Sequence, residues 1–247
     1  MSPSRESELR ALTARPFAHR GLHGNGRIEN SRAAFEAAIA AGHGIELDVQ
    51  ASADGQAMVI HDYALERLTE GCGEVRSLAA AELGRIRLKE SDETIPTLAE
   101  ILALVGGRAA LLIEVKSPDR RVAAMIRGIV SALSGYKGPV ALMSFNPEIG
   151  RWLARYAPGR LRGLVVSEAG RRWRGWLTRR LALWRSRPDF LAYDIRDLPS
   201  RFAEAQRMKG MKVLTWTCRS LADRARAAEH ADQIIYEVER GGGHGNN

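Results

Sequence analysis

Glu46 and Asp48 stand two residues apart in an otherwise apolar run, at the start of GIELDVQASADGQAMVIHD (44–62), and the pair His61-Asp62 closes that stretch. In a strand, residues i and i+2 share a face, so the two acids project together. Glu114 and Lys116 repeat the spacing within LLIEVKS, and His19-Arg20 ends the short run FAHRG. Taken singly, a Glu-x-Asp or a His-Asp pair is most often a solvated face or a salt-bridge partner. Brought together, three carboxylates, two histidines, an arginine and a lysine need a partner, because buried unpaired charge is costly. A hard divalent cation, Mg²⁺ or Ca²⁺, is a natural one, since both prefer carboxylate oxygen. Arg20 and Lys116 then favour an anion, and a phosphate bridging metal and arginine satisfies both.

Convergence requires a fold that delivers these residues to one place. Apolar runs alternate with helical patterns along the whole chain. Strands are expected at 17–21, from 44 onward, and at 110–116, 139–145, 161–167, 190–195, 212–218 and 233–238. Between them lie helices at 31–42 (capped by Asn30 or Ser31, stopped by Gly42), 97–107 (a Thr97/Glu100 capping box), 120–133, 147–157, 200–210 and 221–231. Strand–helix alternation implies parallel pairing. Eight units in a chain of 247 residues predict an α/β fold, a (β/α)8 TIM barrel forming one domain over 1–240. Barrel enzymes build their sites at the C-terminal ends of the strands, where His19, Arg20, Glu46, Asp48, His61, Glu114 and Lys116 all fall. The connection 63–96 is too long for a plain loop and predicts a small insertion after the second strand. No eighth helix follows the last strand, so SRESELRALTAR at the N-terminus is expected to help close the barrel. The tail GGGHGNN (241–247) is expected to be disordered, and its His244 has no supporting cluster.

Composition excludes several classes. Apolar residues make up 45% of the chain, enough for a sizeable core. No GxGxxG follows the first strand and no Walker A motif occurs, which leaves dinucleotide and P-loop chemistry without support. Cys72 and Cys218 are far apart and lack zinc spacing, so two reduced thiols are expected. With no apolar signal region and no run of membrane-spanning length, a cytoplasmic protein is expected. The net charge of +8 is local: residues 169–188 hold seven arginines and no acid. A patch of this kind is unlike the diffuse surface of a nucleic-acid binder, and no nucleic-acid partner is expected. Trp173, Trp176, Leu177, Arg180, Leu181 and Trp184 fall on one helical face within 171–187. Either this helix packs its tryptophans on the sheet with solvated arginines, or it makes a peripheral contact with an anionic membrane surface.

The ordered series AHRG, ENS, FEAAIAAG, IELDVQASADGQAMVIHD, LERLTEGCGEV, IPTLAEIL and LLIEVK, spanning 17–116, resembles the glycerophosphodiester phosphodiesterase family, with later echoes in SFNPE (144–148) and VLTWT (213–217). The resemblance implies a barrel with a small insertion after the second strand. It implies Glu46, Asp48 and Glu114 as metal ligands, and His19 and His61 as the general acid/base pair. It further implies Arg20 and Lys116 on phosphate oxygens, Glu29 holding Arg20 or the metal ligands in place, and Trp216 lining the substrate pocket. The family-like reaction hydrolyses a glycerophosphodiester to glycerol 3-phosphate and an alcohol: one histidine activates the glycerol 2-hydroxyl to attack phosphorus, the other protonates the leaving alcohol, and water opens the cyclic phosphate. His19 is expected as base and His61 as acid. A lysophospholipase D-like activity on membrane lipid diesters, or a non-catalytic lipid-surface barrel, are the alternatives. Ile28 stands where the family has proline. WTCRS lacks the family's asparagine and IIYEVE its threonine-aspartate pair; both departures lie at the mouth and bear on specificity.

Overall fold

The computed structural model describes residues 3–118, 122–168 and 174–238; Trp173 and the 241–247 tail lie outside them. The strands are β1 (Phe17–Ala18), β2 (Gly44–Ala51), β3 (Ala57–Val59), β4 (Leu111–Val115), β5 (Val140–Ser144), β6 (Leu161–Val166), β7 (Phe190–Asp194), β8 (Lys212–Cys218) and β9 (Gln233–Tyr236). The helices are α1 (Pro3–Leu12), α2 (Arg32–Ala40), α3 (Ala80–Leu83), α4 (Leu98–Val105), α5 (Ala123–Ala132), α6 (Pro147–Tyr156), α7 (Arg174–Ser186), α8 (Arg201–Arg207) and α9 (Leu221–His230). Strands β1, β2 and β4 to β9 pair in parallel around a closed ring, with β9 returning to β1. β3 is different: it runs antiparallel against the end of β2, with Val49 opposite Val59. The stretch 44–62 is therefore a strand, a turn at Gly55 and a return, and the return carries His61 back to the mouth.

Alternation along the strands decides what faces where. Ile45, Leu47 and Val49, with Leu111, Ile113 and Val115, enter the core between barrel and helices. Glu46, Asp48, Leu112 and Glu114 consequently face the interior. Below them the barrel is filled by Phe17, Leu112, Ala141, Leu161, Phe190, Leu214 and Ile235. Gly163 makes room for this layer, because a Cβ there would sit 2.4 Å from the Phe190 ring. Residues 63–96 carry Leu65, Val75, Leu83, Leu88 and Ile95 into a separate small cluster with Met58 and Ile60.

The N-terminal segment plugs the floor. Leu9 and Leu12 of α1 are buried against the interior layer. Arg5 clamps the helix in place, with Nε and Nη2 each 2.6 Å from the Asp189 carboxylate and Nη2 2.8 Å from the Arg160 carbonyl. Leu12→Ala is expected to lower unfolding free energy by about 2–5 kcal/mol, the range for emptying a packed leucine site, with turnover per folded molecule unchanged. Urea titration checks this, and an unshifted midpoint would show that α1 contributes nothing to closure.

The basic helix differs from the reading in which its tryptophans pack on the sheet. α7 turns Ala182, Leu183 and Ser186 inward, and Ser186 meets Gly150 of α6, where a Cβ would lie 2.6 Å away. Trp176, Leu177, Leu181 and Trp184 are left exposed.

Candidate active site

The site begins where β1 stops. The chain is expected to remain extended to 21, but Arg20 adopts φ 56° and Gly21 φ 79°. Both lie in the left-handed region, which is costly for arginine and free for glycine. The turn aims the Arg20 backbone N–H at Glu46 Oε2, 3.0 Å away. It also brings the guanidinium across the mouth, with Nε 3.3 Å from Asp48 Oδ2 and Nη1 2.6 Å from Glu29 Oε1. Glu29 is thus seated on Arg20. It accepts further from Arg67, at 2.8 and 3.1 Å.

Asp48 stands opposite Glu114 in the β2–β4 register. Lys116 Nζ lies 3.1 Å from Asp48 Oδ1 and 2.6 Å from Glu114 Oε1. Asn30 donates to Asp48 Oδ2 at 3.0 Å and accepts from the Asp48 backbone N–H at 3.2 Å. Ser31 caps α2, which leaves Asn30 free for this exchange.

Glu46, Asp48 and Glu114 each bring an oxygen within 4.8 Å of the others, and all three are buried. Burial pushes the Glu46 carboxyl well above the usual range, and Asp48 and Glu114 add to the push. Burial, with Asp48, also raises Glu114 against the pull of Lys116. Burial acts on Asp48 in the same sense, but Lys116 and Arg20 outweigh it and hold its pKa at about 2. Glu46 Oε1 is buried without a hydrogen-bond partner among the described residues. Asp48 Oδ1 and Glu114 Oε1 face the Lys116 ammonium but lie off the hydrogen-bond direction. Three converging carboxylate oxygens, one of them orphaned, could hold a hard divalent cation.

The histidines flank this cluster. His19 Nδ1 lies 2.6 Å from Glu237 Oε1, so Nδ1 carries the proton and Nε2, 3.9 Å from Glu46 Oε2, keeps its lone pair. Glu237 is in turn gripped by Arg219 at 2.7 and 2.9 Å. His61 Nδ1 lies 2.7 Å from Asp62 Oδ1, and Arg67 ties the other Asp62 oxygen. Gln50 donates to the carbonyls of Ile60, His61 and Asp62, pinning that return to the barrel. Burial lowers the pKa of both imidazoles; the hydrogen bond to Glu237 offsets this only in part for His19, and nearby Asp48 only in part for His61.

His19, Arg20, Glu46, His61, Glu114, Lys116 and Trp216 all line one cavity of about 500 Å³. Trp216 is anchored by its indole N–H on the Ala192 carbonyl (3.0 Å) and meets Phe145 edge to face at 5.6 Å. Every residue expected at the site lines this cavity or, as for Asp48 and Glu29, contacts one that does. Asn30, Arg67, Arg219 and Glu237 were not among the expected site residues. Asp62 carried a signal in its position next to His61, and Asn30 in its position next to Glu29 within ENS; Arg67, Arg219 and Glu237 are distant in sequence from their partners and met them only by folding.

Residues 19–238 match the Glycerophosphoryl diester phosphodiesterase family. The chain belongs to that family. It is 35% identical over 159 residues to a glycerophosphodiester phosphodiesterase of Caldanaerobacter subterraneus subsp. tengcongensis, covering 60% of this chain and 65% of the relative. It is 44% identical over 107 residues to one of Bacillus altitudinis, covering 40% and 43%. These alignments span less than two thirds of either curated relative. The fold is shared with an Oleispira antarctica phosphodiesterase solved with its product sn-glycerol-3-phosphate, at TM-score 0.80, 24% identity and coverage of 92% and 93%. It is shared also with a Thermotoga maritima glycerophosphodiester phosphodiesterase, at TM-score 0.71, 25% identity and coverage of 89% and 92%.

Proposed function

We propose that the protein hydrolyses glycerophosphodiesters to glycerol 3-phosphate and an alcohol, in a metal-dependent reaction with His19 and His61 as the acid/base pair. Charge balance at the cluster is the observation that carries the reading. Ionised Glu46, Asp48 and Glu114 against Arg20 and Lys116 leave one negative charge. A divalent cation, Mg²⁺ or Ca²⁺, turns that into one positive charge, and a phosphodiester monoanion neutralises it. Family membership and the product seen in the Oleispira relative support the same substrate class.

The metal, held by Glu46, Asp48 and Glu114, would supply electrostatic stabilisation to the phosphoryl oxygens. Arg20 and Lys116 aim fixed positive charge at the same oxygens, where charge builds up in the transition state. Nε2 of His19 takes the proton of the glycerol 2-hydroxyl as that oxygen attacks phosphorus. Nε2 of His61 gives a proton to the departing alcohol oxygen. In the second half the roles reverse, and water opens the cyclic phosphate. Glu237 and Asp62 hold each ring by its Nδ1–H and favour the imidazolium that forms. Trp216 and Phe145 supply an apolar wall for the glycerol carbons.

The test is release of glycerol 3-phosphate from glycerophosphocholine with Mg²⁺ or Ca²⁺, beside a panel of lipid diesters and of monoesters. Turnover of diesters and little of monoesters is expected; no release from any diester with either metal rejects the reading. Hydrolysis of lipid diesters, lysophospholipase D-like, is favoured by one observation: Phe145, exposed at the mouth, extends the apolar wall toward the outside.

A further inference from the structure

α7 presents an apolar stripe to the outside of the barrel. Leu177, Leu181 and Trp184 recur at i, i+4 and i+7 and are 60%, 57% and 68% exposed, with Trp176 beside them at 48%. Exposed single apolar residues need no explanation; four large ones on one helix face do. The charge around the stripe is one-sided. Residues 147–156, 175–187 and 200–210, within and after α6, α7 and α8, contain nine Lys and Arg against two Glu; Arg179 turns inward onto Glu168 at 3.3 Å, which leaves eight. Two depressions flank Trp184. One, of about 290 Å³, is lined by Arg151, Arg155, Arg185 and Arg187 with Trp184 itself. The other, of about 550 Å³, is lined by Trp176, Arg180, Arg201 and Lys209 among others. Arg180 stacks over the Trp176 ring at 4.7 Å.

From this geometry we infer that the α6–α7–α8 face docks the protein on an anionic lipid surface. Indole and leucine side chains enter the interface between head groups and acyl chains, and the arginine-lined depressions take lipid phosphates. A polynucleotide would be met by the arginines but would give Leu177 and Leu181 nothing to bury against, so the apolar stripe favours lipid. Among the described residues no helix is long and apolar enough to cross a membrane; the contact is peripheral. α7 lies between β6 and β7, and on either side of the β6 end the mouth rim carries exposed Phe145 after β5 and Arg196 after β7. A protein docked on this face opens its cavity along the lipid surface. That consequence for substrate delivery rests on the phosphodiesterase reading; the docking itself does not.

Co-sedimentation of the full chain with vesicles tests it. Strong, salt-sensitive binding to phosphatidylglycerol vesicles at low ionic strength and weak binding to phosphatidylcholine vesicles are expected. Trp176→Ser/Trp184→Ser, and separately Leu177→Ser/Leu181→Ser, should each weaken binding about tenfold or more, as interfacial affinity follows buried apolar area. Hydrolysis of soluble glycerophosphocholine should be the same in these variants as in the parent. No binding to anionic vesicles at low salt, or binding by both variants equal to that of the parent, overturns the inference. So does a concentration-dependent dimer that both variants dissolve, or tighter binding to an RNA oligonucleotide than to vesicles. Vesicle binding without any diester hydrolysis would reject the proposed activity and leave the docking surface standing.

Discussion

His61→Ala is expected to lower kcat on glycerophosphocholine by roughly 10²- to 10⁴-fold, the usual contribution of a positioned acid or base. With a glycerophosphodiester whose leaving group is p-nitrophenol, the loss in the first step, read as p-nitrophenol release in a single turnover, should be far smaller, because a stable phenolate departs without a proton, while opening of the cyclic phosphate still needs His61. His19→Ala should depress both substrates alike, since the attacking hydroxyl must lose its proton whatever leaves. The geometry is symmetrical in kind: each Nδ1 sits on a carboxylate, at 2.6 Å for Glu237 and 2.7 Å for Asp62, and each carboxylate is held by an arginine. Leaving-group dependence is therefore the measurement that separates the roles. The opposite pattern would exchange base and acid, and unchanged turnover in either variant would refute the site assignment.

Glu46→Gln should abolish turnover and also separate metal binding from folding. The amide keeps an oxygen for the Arg20 backbone N–H, now met by Glu46 Oε2 at 3.0 Å, but removes one charge from the cage. In the parent, metal at about 100 times its Kd should stabilise the fold by about 2.7 kcal/mol, seen as a rise in Tm. The variant should show almost none of that rise. Without metal the order reverses. Burial and the neighbouring Asp48 and Glu114 disfavour the ionised Glu46 side chain, so the metal-free variant should be at least as stable as the metal-free parent. A metal-induced rise that survives in Glu46→Gln would show that the carboxylate trio is not where the ion binds.

Much of this site is legible in the sequence. Period-two alternation in IELDV and LLIEV sends Ile45, Leu47, Val49, Ile113 and Val115 to the helices, and therefore Glu46, Asp48 and Glu114 to the interior. Strand–helix alternation placed those acids at one end of a barrel. The turn after β1 was not legible: Arg20 is an unusual residue for a positive φ, and no local pattern announces it. Nor was the antiparallel β3, since AMVI is too short to show its direction. Arg67 lies 38 residues from Glu29, and Glu237 lies 218 from His19. Pairings over such separations come from ring closure and from packing of the 63–96 insertion, and leave no periodic trace.

The basic helix marks the same boundary. Its composition showed that arginine and tryptophan cluster and that acids are absent. Apolar residues run round most of α7, however, with Ala182 turned inward, Leu177, Leu181 and Trp184 turned outward, and Trp176 and Leu183, seven residues apart, at the border between them. Periodicity cannot choose between two apolar faces. The close crossing of Ser186 over Gly150 chooses, because only the side with small residues can approach α6. The sequence by itself determined the fold class, the inward-facing acids and the chemistry they suit, because strand alternation is a local property of the chain. Tertiary structure alone decided which carboxylates hold the histidines and which face of α7 meets the outside, because both depend on contacts between segments far apart in the chain.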